Sequence, residues 1–129
     1  MPTGEQKTEE LAADYTAAWN SGSADTVASL YASDGKIIIN RGDPWNGRGG
    51  VAEMAAGFFA DIPDLALVCD SVRVAGDHAV YLWTFTGTHA STGKPVRVSG
   101  WEEWDINDDG EIQSSFGWFD SDDYARQTS

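Results

Sequence analysis

The side chains able to move a proton at neutral pH are few in this chain, and most lie in its C-terminal half. Asp120 closes the run "SSFGWFD", whose apolar neighbours desolvate a carboxyl and lift its pKa towards the range of a general acid or base. Glu102 lies in "SGWEEW", where alternation with Val98 and Trp104 turns it inward and Glu103 outward. A buried Glu is held neutral by desolvation and can donate a hydrogen bond. Tyr15 stands on the apolar stripe of the first helical segment and offers a hydroxyl to a pocket. His89 ends an aromatic strand, within reach of a substrate oxygen or a carboxylate. Asp120, Tyr15, Glu102 and His89 are therefore the candidate catalytic residues. Each also has a plainer use: Asp120 as a cap on the turn into "SDDYARQ", Tyr15 as core, Glu102 with Glu103 on an acidic edge strand, His89 on a rim. Simple alternation groups Asp120 with Ser114, Phe116 and Trp118, and only a bulge at Gly117 turns it to the other face.

Metal and nucleophile chemistry find less support. Asp105, Asn107, Asp109 and Gly110 match the first half of a calcium loop, but the twelfth position is Phe116, which cannot ligate, and the flanks are strand-like. Asp109-Gly110 between two such runs reads instead as a hairpin turn. The histidines, His78 and His89, lack a zinc spacing, and Cys69, the only cysteine, has no nucleophile signature around it. "GDPWNGRGG" lacks the spacing of a phosphate cradle. No metal and no cofactor is expected.

The composition narrows the partners. With 8 basic against 21 acidic residues, the net charge of −13 repels phosphate backbones and anionic lipid, so neither nucleic acid nor a membrane is an expected partner. At 129 residues, 41% of them hydrophobic, with six Trp, the chain reads as one domain with a substantial core, residues 1–7 forming a flexible start. The polar N-terminus has no apolar leader, so a cytoplasmic location is expected.

The elements that must position these residues follow from periodicity. Residues 8–20 read as an amphipathic helix capped by Thr8, with Leu11, Tyr15, Ala18 and Trp19 on one face. Residues 24–32 read as a second helix, 36–40 as a short strand, and 51–62 as a third helix that Pro63 stops. Trp45, in the loop before that helix, is placed to act as a lid. The rest reads as strand: 65–76, 78–90, 94–106 and 111–120, a meander in which Tyr81, Trp83 and Phe85 share a face. Helices first and an antiparallel sheet afterwards make an α+β domain.

This order, with "YTAAWNSGSADTVASLYASDG" near the start and "GEIQSSFGWFD" near the end, resembles the nuclear transport factor 2-like superfamily over about residues 9–127. Within it, "TGTHASTGKPVRVSG" and "DGEIQSSFGWFD" are similar to the SnoaL-like branch, beside ketosteroid isomerases and polyketide cyclases. The resemblance implies a cone-shaped fold of three N-terminal helices packed on a curved antiparallel sheet. It implies a cofactor-free cyclase or isomerase acting on a hydrophobic carbonyl compound, or a non-catalytic binding or association module of the same fold. It puts Asp120 at the acid–base position of the cyclases, with Phe116 at a position more often Trp. Alignment with ketosteroid isomerases instead puts Tyr15 at the hydroxyl that donates to the enolate oxygen and Glu102 at the second, protonated acid. The isomerase base then falls on Ile39, beside Asn40, and neither takes a proton from carbon. The expected substrate walls are Trp19, Trp45, Phe58, Trp83, Phe116 and Trp118. Homodimers are common in this superfamily, and outward residues such as Val80 and Leu82 suggest pairing through the convex sheet face.

Overall fold

The structure, a computed structural model, describes residues 4–129. Helix α1 (Gly4–Asn20) buries Leu11, Ala12, Tyr15, Ala18 and Trp19, the stripe expected of a one-sided helix. It begins ahead of the expected cap. Thr8 lies inside it, its hydroxyl donating to the Gly4 carbonyl at 3.0 Å. Of the expected flexible start, residues 4–7 are helical and 1–3 lie outside the described residues.

Helix α2 (Ala24–Ala28) is capped by Ser23, whose hydroxyl accepts the Thr26 N–H at 3.2 Å. It is shorter than its sequence pattern suggests. The Leu30 carbonyl accepts the Ile112 N–H at 3.0 Å, and Tyr31, expected in this helix, opens strand β1 (Tyr31–Ile39) instead. Long-range pairing here overrides local propensity. A two-residue strand β2 (Trp45–Asn46) leads into helix α3 (Gly47–Asp61), which buries Val51, Met54 and Ala55. Strands β3 (Ala66–Ala75), β4 (His78–Thr88), β5 (Pro95–Ile106) and β6 (Ile112–Phe119) form the expected antiparallel meander. The β5–β6 connection is the hairpin that Asp109-Gly110 suggested. Gly110 takes φ +79°, and the Asn107 side-chain oxygen accepts the N–H groups of Asp109 and Glu111.

The sheet order is β2-β1-β6-β5-β4-β3. Two expectations need correction. The sheet is mixed rather than wholly antiparallel, because β1 lies parallel to β6, with Ile37 beside Ser115 and Ile39 beside Gly117. There are also four described helices rather than three, since residues after Asp120 form α4 (Ser121–Thr128). Asp120 caps α4 with a side-chain oxygen that accepts the Asp123 N–H at 3.0 Å.

Helix α1 packs on β3 and α3 on β1, and the core lies between these helices and the inward sheet residues. Tyr15, Tyr31, Val51, Tyr81, Trp104 and Ile112 are fully enclosed there. Alternation along β4 is as read: Tyr81, Trp83 and Phe85 face in, while Leu82 faces out.

Candidate active site

Glu102 is the centre of the inward face. Position 102 falls between Gly100 and Trp104 on the inward side of β5, opposite Gly117 of β6, and the residue is 8% exposed. Its Oε1 accepts hydrogen bonds from the Ser115 hydroxyl (2.7 Å), the Tyr15 hydroxyl (2.9 Å) and the Trp104 indole N–H (3.0 Å). Tyr31 reaches the same oxygen at a long 3.5 Å and the Tyr15 hydroxyl at 3.0 Å. Among the described residues Oε2 accepts only from Tyr15, at 3.1 Å. Tyr81 braces the group by stacking on Trp104 at 4.9 Å and meeting Tyr15 edge-on at 5.4 Å. Helix α1, strands β1 and β4, the β5–β6 hairpin and the parallel β1–β6 pair thus meet at one carboxyl.

The electrostatics follow from that enclosure. Burial raises the Glu102 pKa, and the donors from Trp104, Ser115, Tyr15 and Tyr31 oppose the rise by favouring the charged form. Burial, and then the Glu102 charge, push the Tyr15 and Tyr31 phenols well above their ordinary value. Both therefore stay protonated and act as donors.

Beside the carboxyl lies an apolar cavity of about 50 Å³ that opens to the surface. Its walls come from α1 (Trp19), β1 (Ile37, Ile39), α3 (Met54, Phe58), β4 (Trp83, Phe85) and β6 (Gly117, Phe119). Among the described residues Glu102 is the only ionisable side chain lining it. Gly117 faces the acid across the strand pair, and a Cβ there would make ordinary contact with the Glu102 Cγ at 3.7 Å. An acid with one lightly bonded oxygen in so apolar a setting is equipped to take or give a proton.

The expected site residues divide. Tyr15 and Glu102 meet at hydrogen-bond distance, and Trp19, Phe58 and Trp83 line the cavity. Trp118 borders it through its strand, while its ring stacks on Trp101 at 6.3 Å and its indole N–H donates to Glu103, the outward acid. The other four lie elsewhere. The β5–β6 register runs unbroken from Gly100/Phe119 to Asp105/Ser114, so no bulge at Gly117 turns the strand end inward. Phe116 pairs with the outward Glu103 and is not a cavity wall. Asp120 is exposed at the start of α4, outside the cavity lining. His89 bonds Thr92 at 2.9 Å in the turn after β4. Trp45 is exposed on the edge strand β2. The reading missed Tyr31 and Ser115 as partners of Glu102, and Phe85 and Phe119 as walls. Alternation with Tyr81 and Trp83 could have found Phe85; nothing local marks Tyr31. Among the described residues no group of three or more His, Cys, Asp or Glu side chains is placed to hold a metal ion.

Helices packed on a six-stranded mixed sheet are the architecture of the nuclear transport factor 2-like, ketosteroid isomerase-like fold. Residues 12–115 match the SnoaL-like domain, and the chain belongs to that family. A candidate SnoaL-like polyketide cyclase from Jannaschia is 18% identical over 95% of this chain and 92% of its own, with a TM-score of 0.85. A candidate polyketide cyclase from Xanthomonas campestris is 19% identical over 98% and 100% of the two chains, with a TM-score of 0.84. A protein of ketosteroid isomerase-like fold from Catenulispora acidiphila, solved in complex with trimethylamine, is 21% identical over 92% of each chain, also with a TM-score of 0.84. No protein of curated function matches the sequence.

Proposed function

We propose that this protein is a SnoaL-like enzyme that moves a proton on a hydrophobic carbonyl compound, without a metal or cofactor, in an isomerisation or an aldol-type ring closure. The observation that carries the reading is Glu102: a carboxyl of raised pKa, alone among apolar and aromatic walls. Two structural neighbours bear the description of polyketide cyclase, which agrees with such a substrate.

In this mechanism ionised Glu102 takes a proton on Oε2 from the carbon next to the carbonyl. The C–H electron pair moves into the carbonyl to give an enolate. Tyr15, Trp104 and Ser115 hold Oε1, so the carboxyl needs no reorganisation. The proton then returns to a second carbon, completing an isomerisation. In the aldol case the enolate carbon attacks a second carbonyl carbon, and Glu102 returns the proton to the resulting alkoxide. Asp120 has no part in this scheme, being engaged at the head of α4.

The test is deuterium exchange at the acidic carbon of 2-tetralone, a compact apolar ketone, followed by NMR. The wild type should accelerate exchange, and Glu102→Gln should lose about 10² to 10⁴ of the acceleration, the usual worth of a general base. The rival reading, a binding module that has kept the pocket without the chemistry, is favoured by Ile39, a cavity wall where the isomerase alignment asks for a base. Exchange no faster than in buffer, with equal thermal stabilisation of wild type and Glu102→Gln by the ketone, would establish that rival.

The proposal extends to a homodimer through the outer sheet face. Cross-strand pairing aligns Leu82, Trp101 and Trp118 in a row there, with Leu82 36% and Trp101 42% exposed.

A further inference from the structure

Two polar atoms, on residues that line the cavity, have no use in the mechanism above. The indole nitrogens of Trp19 and Trp83 are the buried side-chain nitrogen or oxygen atoms without a hydrogen-bond partner among the described residues. The two residues are only 7% and 8% exposed. Leaving a buried donor unmade is costly, and such orphans are rare enough in folded proteins to need a reason. Here both occur on residues lining one cavity.

Each lies one residue removed from the acid, Trp19 through Tyr15 and Trp83 through strand β5. Trp19 packs edge-on against Tyr15 at 6.4 Å, and Tyr15 donates to Glu102. The Trp19 N–H comes close enough to the Tyr15 oxygen to ease its upward shift, yet it lacks hydrogen-bond geometry. Trp83 is the cross-strand partner of Gly100, two residues before Glu102 on the same face. A Cβ on Gly100 would fall 2.2 Å from the Trp118 carbonyl oxygen and 2.6 Å from the Trp83 ring, so only a glycine there leaves room for the backbone and the indole together. A Trp that serves only to fill space has no use for its N–H, and burying that donor unpaired costs stability. Two such donors on residues lining one cavity call for acceptors that the described residues do not supply.

We propose that Trp19 and Trp83 are the hydrogen-bond donors of the ligand site. The ligand class follows: a flat, apolar molecule bearing carbonyl or enolate oxygens, to which the two indoles donate while its acidic carbon lies against Glu102. The assignment rests on the proton-transfer reading only for the position of that carbon. Recognition of oxygen by the indoles stands or falls separately. Neither nitrogen is open to solvent in the free chain, so ligand entry must shift the rings slightly, which makes the indole protons themselves the reporters.

The test compares 2-tetralone with tetralin, the same two-ring frame without the oxygen, by titration against wild type, Trp19→Phe and Trp83→Phe. The wild type should bind the ketone several-fold more tightly than the hydrocarbon. At least one variant should lose about fivefold more affinity for the ketone than for tetralin, the worth of one net hydrogen bond beyond any lost apolar contact. In proton NMR of the wild type, an indole N–H signal that disappears in Trp19→Phe or Trp83→Phe should move downfield with tetralone and stay in place with tetralin. If a variant fails to fold, the wild-type spectrum still decides, since a downfield indole shift specific to the ketone is required. Tetralone binding no more tightly than tetralin, or indole protons equally indifferent to both, overturns the assignment. Failure of the proton-transfer reading looks different: ketone preference and indole shifts persist while exchange stays at the buffer rate.

Discussion

At the scale of the residue, the behaviour of Glu102 is a contest between burial and hydrogen bonding. Enclosure disfavours its charge, while donors from Trp104, Ser115, Tyr15 and Tyr31 favour it, and burial prevails. Because the folded pKa is raised above the unfolded one, the protonated acid contributes stability that is fully present below the unfolded pKa. That contribution is lost as pH rises through the folded pKa. In Glu102→Gln the amide oxygen can accept the same donors and never ionises. Thermal melting of the two proteins should therefore agree at acid pH, and the wild type should fall progressively below the variant as pH climbs from the ordinary carboxylate range through the raised value. A gap that does not vary with pH would mean that Glu102 titrates normally. The rate of proton exchange should rise over the same interval, since the ionised acid is the base. That Glu102 faces inward was legible from its alternation with Val98 and Trp104. That Tyr31 and Ser115 reach it was not, because those contacts join residues 71 and 13 positions away.

At the scale of the element, the end of β6 decides what Asp120 does. Unbroken alternation puts Ser115, Gly117 and Phe119 on the cavity side, and the chain then turns at once into α4. Tyr124 of that helix packs on Phe85 at 6.3 Å and on Phe119 at 6.1 Å, so α4 covers two walls of the cavity. Asp120→Ala should cost about 1 kcal/mol of stability, the ordinary loss for an N-cap. Tetralone exchange should stay within about twofold of wild type, since the carboxylate lies outside the lining. A hundredfold loss of exchange with the fold intact would restore Asp120 as the acid–base group. The signals for α4 were present in the sequence: Asp120 as cap, Asp122 and Asp123 in the first turn, Arg126 in the last. Its shortness and weak apolar content hid it among turn residues.

At the scale of the whole molecule, charge and the outer face act against each other. Each chain carries −13, so two copies repel, while the row of Leu82, Trp101 and Trp118 gives them apolar surface to bury. The proposed dimer should tighten as salt rises and screens that repulsion, over the range where the Debye length falls below about 10 Å. Leu82→Lys should shift sedimentation towards monomer. A wild type that sediments as a monomer at micromolar concentration in high salt removes the dimer.

The sequence by itself determined the meander, the stripe of α1 and the inward side of β4, and its alternation offered an inward turn for Glu102 beside the alternative of an acidic edge. All of these are periodicities of two or 3.6 residues, written in neighbouring side chains. Only the tertiary structure decided the shortening of α2, the parallel pairing of β1 with β6, and the gathering of Tyr15, Tyr31, Trp104 and Ser115 around one carboxyl. Those contacts come from strands and helices far apart in the chain. Their energy is realised only when the sheet closes, so no local pattern records them.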